Sequence, residues 1–318
     1  MLEVSPVFAF IIGLEIILSN YHDRKVFNSK EIISTIYISL INAGLDLLIR
    51  GFYLVILYVF YKYHLFEIKH PAIYWSCLLI LLDFQFYWLH RLEHFCRIFW
   101  AVHVTHHSSE MLNTTVSFRS SVFQPFYRFI FFIPITLLGF EPLHILLIYS
   151  LTQFWSLFVH TEFIGKLGWM EAVFVTPSHH RVHHASNALY LDKNMGLVFI
   201  IWDRLFNTFQ AELTAKKYEA IRYGLTSPLK KQTPAYVIFH EWFDIWNDLK
   251  RNDIGWKEKM GYLFQPPGWS HDGSRLTSAQ MLEKQMIKNK KIPKVPVILI
   301  HKSATENYFK GSIKLSST

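Results

Sequence analysis

From about Ile32 to Tyr61 the chain carries a largely apolar run whose only charged residues are Asp46 and Arg50. That is longer than the roughly 20 residues a helix needs to cross a bilayer's hydrocarbon layer. Lipid offers no hydrogen bonds, so such a run satisfies its backbone only as a helix. Asp46 and Arg50 stand four apart, where they can pair on one helical face. Four further apolar segments follow the same logic: about Val4–Leu18 with Glu15 inside it, the stretch "AIYWSCLLILLDFQFYWLHRLEH" after Pro71, about Val122–Leu138, and Pro142–Val159. The last two are separated by "GFEP", which predicts a hairpin that leaves and returns on one side. The expectation is an all-α, polytopic membrane bundle of about four to five membrane segments.

Composition supports this class. Hydrophobic residues make up 51% of the 318, which argues against an ordinary soluble enzyme. The net charge of +8 is scattered between apolar runs, so it reads as contact with lipid headgroups rather than with nucleic acid. The first segment has neither a basic start nor a small-residue cleavage signature, which predicts a retained membrane helix. Cys77 and Cys96 form no paired framework, and no nucleotide-binding motif is present. Arg24, Lys25, Lys30, Arg91, Arg97 and Arg119 fall on one side of the expected topology, against Lys62 and Lys69 on the other. This places the histidine-rich loops on the cytoplasmic side. Four regions are expected: N-terminal membrane helices over 1–70, a catalytic core over 71–226, amphipathic interfacial helices over 227–264, and a basic, loosely ordered tail over 265–318.

The histidines carry the chemistry. Eleven of 17 lie between residues 90 and 184, nine of them in "HRLEH" (90–94), "HVTHH" (103–107) and "HHRVHH" (179–184). On a helix His90 and His94 share a face; so do His103 with His106 or His107, and His180 with His183 or His184. Unligated, such clusters are costly to desolvate, and protonated they repel one another. A bound cation removes both difficulties, because neutral imidazole is a good ligand. Eight or nine rings exceed what one tetrahedral ion takes, so a cytoplasmic-side helical cap holding a polyhistidine dimetal site is expected. His160, ending a membrane segment on the same side, is a further candidate. His179 points about 100° away from His180 on a helix, and isolated His144 and His240 carry no assigned role. Spacing alone leaves iron, zinc, copper and nickel open.

The three boxes resemble those of the fatty acid hydroxylase and sterol desaturase superfamily. The flanks "WAVHVTHHSSEMLNTT", "FVHTE", "TPSHHRVHH", "YLDKN", "IWDRLFNTF" and "YGLT" are similar to the alkylglycerol monooxygenase branch and its bacterial sterol-desaturase-like relatives, over about Asp83 to Thr226. The resemblance implies metal ligation by His90, His94, His103, His106, His107, His180, His183 and His184. It also implies two Fe ions, with zinc able to replace them in purified protein, and dioxygen as co-substrate. The expected reaction is hydroxylation or desaturation of a C–H bond in a membrane lipid such as an alkyl ether lipid, a sterol or an acyl chain. Electrons are expected from a tetrahydropterin or an electron-transfer protein. Where the branch usually has an aromatic residue and a glycine, this chain has Met195 and Asn207. Asp83, Asp192 and Asn194 are candidates to orient the ligand rings, with Glu110, Glu162 and Asn187 also near them in sequence. Two competing classes stay open at this point: a membrane protein that stores or passes zinc, and a zinc hydrolase, although no HExxH or nucleophile motif is present.

Overall fold

The computed structural model describes residues 5–288. Its helices are α1 (Ser5–Tyr21), α2 (Ser29–Tyr61), α3 (Pro71–Phe95), α4 (Arg97–His107), α5 (Gln124–Arg128), α6 (Ile133–Leu137) and α7 (Pro142–Val159). They continue with α8 (Pro177–His183), α9 (Ile201–Leu205), α10 (Pro234–Leu249), α11 (Trp256–Phe264) and α12 (Ser278–Lys288). Among the described residues the only β-pairing is two isolated bridges, Phe174–Phe199 and Ala185–Tyr223, so the fold is all-helical as expected.

Three helices, α2, α3 and α7, are long and apolar enough to cross a membrane. In α2 only 17% of the most apolar stretch is buried in the protein, and Leu47, Leu48 and Phe52 face outward. Outward apolar side chains of that density need lipid around them. Asp46 and Arg50 form the expected ion pair.

The segment over 122–138 differs from the single helix expected. It runs as α5, a 3-10 turn over Phe129–Phe132, and α6. Pro125 and Pro134 sit at the starts of α5 and α6, and each removes a backbone donor that a continuous helix needs. The segment still ends at the far end of the bundle, where the Leu137 carbonyl accepts from Leu65 N–H at 2.8 Å. Gly139 makes the turn there at φ 101°, and any Cβ would meet the Phe66 carbonyl oxygen at 2.1 Å. α1, at 17 residues, is shorter than a typical span. The membrane core closes on Tyr53, Leu57, Leu78, Leu82, Phe132, Ile135, Phe140 and Ile145, from four successive segments.

α3 stops at Cys96 without Gly or Pro, and α4 restarts at Arg97. Arg97 fixes the turn, giving hydrogen bonds of 2.6 Å to both Glu241 and Asp248 on α10. The far end of α4 is held by the fully buried Arg119, whose guanidinium donates to the Thr105 carbonyl, Ser108 Oγ and Thr35 Oγ1 at 3.0–3.1 Å. Both ends of the second histidine box are thereby anchored. Of the tail expected to be loose, Ser278–Lys288 is helical as α12. Its Leu282 packs on Val182, Ala185, Leu189, Tyr190 and Tyr218, beneath the third box. Residues 289–318 lie outside the described residues.

Candidate metal centre

Nine histidines converge where α3, α4, α7 and α8 meet, and they form two groups. His90, His94, His103, His107 and His183 make one; His106, His160, His180 and His184 make the other. Within each, one nitrogen from every ring lies within 4.8 Å of all the rest. Boxes two and three are divided between the groups. In each, the i,i+4 pair (His103 with His107, His180 with His184) enters one group and the remaining ring (His106, His183) enters the other. The groups adjoin, with the His107 and His184 rings stacked at 4.6 Å. All the rings are buried except His106, which is half-buried.

The first histidine of "HHRVHH", His179, has another task. Thr176 caps α8, and the Thr176 N–H donates to His179 Nδ1 at 3.4 Å. This reciprocal box satisfies helix-start donors and turns His179 away from both groups. His144 hydrogen-bonds Tyr74 at 2.9 Å, and His240 Nδ1 faces carbonyls of its own helix.

The five-ring group is oriented from outside. Nδ1 of His90 donates to the Met195 carbonyl at 2.8 Å and that of His183 to the Lys193 carbonyl at 2.9 Å. His94 Nδ1 faces Asp192 at 3.1 Å, and His103 Nδ1 faces Glu93 at 3.1 Å. In the four-ring group His160 Nδ1 donates to the Ser156 carbonyl at 2.5 Å. A nitrogen facing an oxygen acceptor carries the proton, which leaves Nε2 as a lone pair.

The donor set fits bound cations. His90 Nε2 and His103 Nε2 lie 3.0 Å apart, close enough to share one ion. His160 Nε2 lies 2.8 Å from His180 Nε2 and 3.2 Å from His184 Nε2. Bonds of about 2.0–2.1 Å from one ion to two neighbouring nitrogens separate them by roughly 2.9–3.4 Å. His94 Nε2, His183 Nε2 and His180 Nδ1 are buried without any hydrogen-bond partner, a costly state unless another ligand is intended. Burial, then repulsion from neighbouring rings, holds His103, His106, His107, His180, His183 and His184 well below the ordinary imidazole value. Burial brings His160 down to about 4. The rings are therefore neutral and ready to ligate at pH 7.

The other expected residues are placed as follows. Asp192 reaches His94. Asn194 touches no ligand ring: its amide donates to the His179 and Gln210 carbonyls at 3.0 and 2.8 Å, pinning the loop that presents Lys193 and Met195. Asp83 also touches none. It accepts from Val198 N, Phe199 N and Trp202 Nε1 at 2.8–3.1 Å, and so acts as a brace between α3 and the segment entering α9. Asn187 serves the third-box turn, bonding the Ala220 carbonyl and Arg222 N. Asn207 adopts φ 61°, a conformation that favours glycine and tolerates asparagine.

Two residues escaped the sequence reading. Glu93, inside "HRLEH", turns from the first box to meet His103 and accepts from Tyr127. Asp203 accepts from Met195 N, Gly196 N and Thr208 at 2.6–2.8 Å, fixing the carbonyl that orients His90. An acidic residue within each quoted motif was the available signal.

A cavity of about 60 Å³ abuts both groups. His90, His103, His106, His160 and His180 form one wall, with Phe86, Val102 and Leu197 beside them. The remainder is polar: Gln124 and Arg128 from α5, and Tyr149, Gln153 and Ser156 along the same face of α7 that ends in His160.

An all-helical membrane fold with a divided polyhistidine centre defines the class, and comparison with known proteins gives the family. Residues 75–208 match the family described as Fatty acid hydroxylase, in agreement with the resemblance drawn from the boxes. Alkylglycerol monooxygenase of Homo sapiens is 37% identical over 242 residues, covering 74% of this chain and 52% of the relative. That of Danio rerio is 32% identical over 281 residues, covering 86% and 60%. The ornithine lipid hydroxylase OlsE of Rhizobium tropici is 32% identical over 133 residues, covering 41% and 40%. The chain thus spans about half the length of the alkylglycerol monooxygenases it matches. No solved structure matches it.

Proposed function

We propose that the protein is an integral membrane, dioxygen-dependent monooxygenase that holds one iron ion in each histidine group and hydroxylates a C–H bond of a lipid. The reading rests above all on the two sets of rings, in each of which one nitrogen from every histidine lies within 4.8 Å of all the others. When bound, the iron pair would supply the oxidising power, drawn from dioxygen and two electrons, that an unactivated C–H bond requires. One oxygen atom enters that bond; the other leaves as water with two protons. A tetrahydropterin or an electron-transfer protein is the reductant.

The chain's own residues position and shield. Rings of both groups line one cavity wall, so a carbon held there is next to both centres. Phe86, Val102 and Leu197 exclude water beside the rings. Gln124, Arg128 and Gln153 offer hydrogen bonds to an oxygen-bearing part of the substrate. This polar lining favours an alkyl ether lipid, oxidised close to its head group, over a long acyl chain held at its middle. The lipid-facing helices let the substrate arrive from the bilayer, and the surplus of basic residues on the histidine side favours a cytoplasmic orientation.

Metal analysis and lipid profiling test this. Purified protein is expected to hold two irons per chain and to consume dioxygen with reductant and lipid extract. Cells expressing the wild-type chain should differ in lipid composition from cells expressing His183→Ala. Tight zinc binding with no dioxygen consumption and unchanged lipids would remove the proposal in favour of metal handling.

A further inference from the structure

Three of the four oriented rings in the five-ring group owe their alignment to the hydroxylase domain alone. His90 and His183 bond backbone carbonyls, and His103 Nδ1 lies 3.1 Å from Glu93, which is 3% exposed. His94 is the exception. Its acceptor Asp192 is 19% exposed, stands on a loop at φ 54°, and is held at its second oxygen by the Ser278 hydroxyl of α12. A partly exposed carboxylate on a left-handed loop residue has alternative rotamers, and the serine selects among them. α12 is itself fastened at two further points. Leu282 packs under the third box, and Gln285 accepts from Tyr218 at 2.9 Å while donating to Glu219 at 3.0 Å.

Resting on the two-ion reading above, we propose that α12 is a strap that completes the five-ring centre from outside the family domain. In this assignment Ser278 is a positioning residue acting on His94 through Asp192. The four-ring group has no contact with this chain of bonds, so the strap tunes one ion and spares the other. Replacing a direct carboxylate partner of a ligating histidine typically lowers metal affinity 10–100-fold. One bond further out, a roughly three- to tenfold effect follows by the same logic.

The test uses the full chain loaded anaerobically with Fe(II) and challenged with a chromogenic chelator. Wild type should release iron in two phases, and His160→Ala, which breaks the four-ring group, identifies the phase belonging to it. Ser278→Ala should speed only the other phase, roughly three- to tenfold. Ser278→Asp, setting a carboxylate against Asp192, should speed it further, and Ser278→Thr should restore it. Amide exchange in metal-free protein is the second measurement: both disruptive variants should lose protection over residues 190–194. Unchanged release of both ions together with unchanged exchange would overturn the strap. Wild type that fails to hold two ions would instead sink the two-ion reading, and the exchange result would still decide the strap.

Discussion

The two histidine groups are built from the same three boxes, yet they are supported differently. The five-ring group has Nδ1 of His90, His94, His103 and His183 tied to Met195, Asp192, Glu93 and Lys193. In the four-ring group His160 is tied to Ser156, whereas His180 Nδ1 is buried without a partner and His106 is half-exposed. Rings whose far nitrogen is anchored hold their lone pairs in place before any ion arrives. The five-ring site is therefore the pre-organised one. The four-ring site has one ligand fewer and more freedom to admit another molecule.

The largest expected break in this contrast is at the ligands. His103→Ala should abolish iron in the five-ring site and with it product formation, beyond the roughly 100-fold ceiling typical of outer-partner losses; metal content and product yield measure it. Next comes Glu93. Glu93→Leu should weaken iron at the five-ring site by about 10–100-fold and leave the four-ring site unchanged. Glu93→Gln, which keeps an acceptor for His103, should cost less. Competition with a chelator of known affinity reads both, and equal weakening of the two sites would erase the contrast.

Acid should act on the metal-free fold. His103, His107 and His183 in one group and His106, His180 and His184 in the other sit well below the ordinary 6.5, and His160 sits at about 4. Below pH 6.5 the unfolded chain takes up protons at these rings and the folded chain does not, so the unfolded state binds more protons and stability is lost as the pH is lowered. The thermal midpoint of metal-free protein should drop progressively between pH 6.5 and about 4, a fall that bound iron resists by keeping the rings ligated. A midpoint flat across that window would mean that the rings are not buried as neutral groups. The smallest effect belongs to His179. His179→Ala removes one half of the α8 capping box and should lower stability by about 1 kcal/mol, with both ions retained at full occupancy.

Much of this was legible in the residues. The apolar run of α2 dictated a helix, since lipid leaves its backbone no other partner. His90 and His94 shared a face by spacing alone, and a 100° offset set His179 apart from His180. The family emerged from the boxes and their flanks. Other readings needed coordinates. The sequence predicts one helix over 122–138, and only the structure shows it divided at Pro125 and Pro134 while its path continues to the far end of the bundle. Asp83, an intramembrane carboxylate on the helix face of His90 and His94, and Asn194, near ligands in sequence, brace loops instead. Glu93 and Asp203, hidden in quoted motifs, support the rings.

The sequence by itself set rings from three boxes on helical faces and made a bound cation the expectation, because helical spacing and the cost of burying imidazole are local properties. Only the tertiary structure decided how those rings divide. His106 and His107 differ by 100° about α4, and each could be assigned to a centre only once α3, α7 and α8 were packed around that helix. The same holds for Ser278, which lies 86 residues from Asp192. Contacts at that separation depend on where the whole chain returns, not on the identity of neighbouring residues.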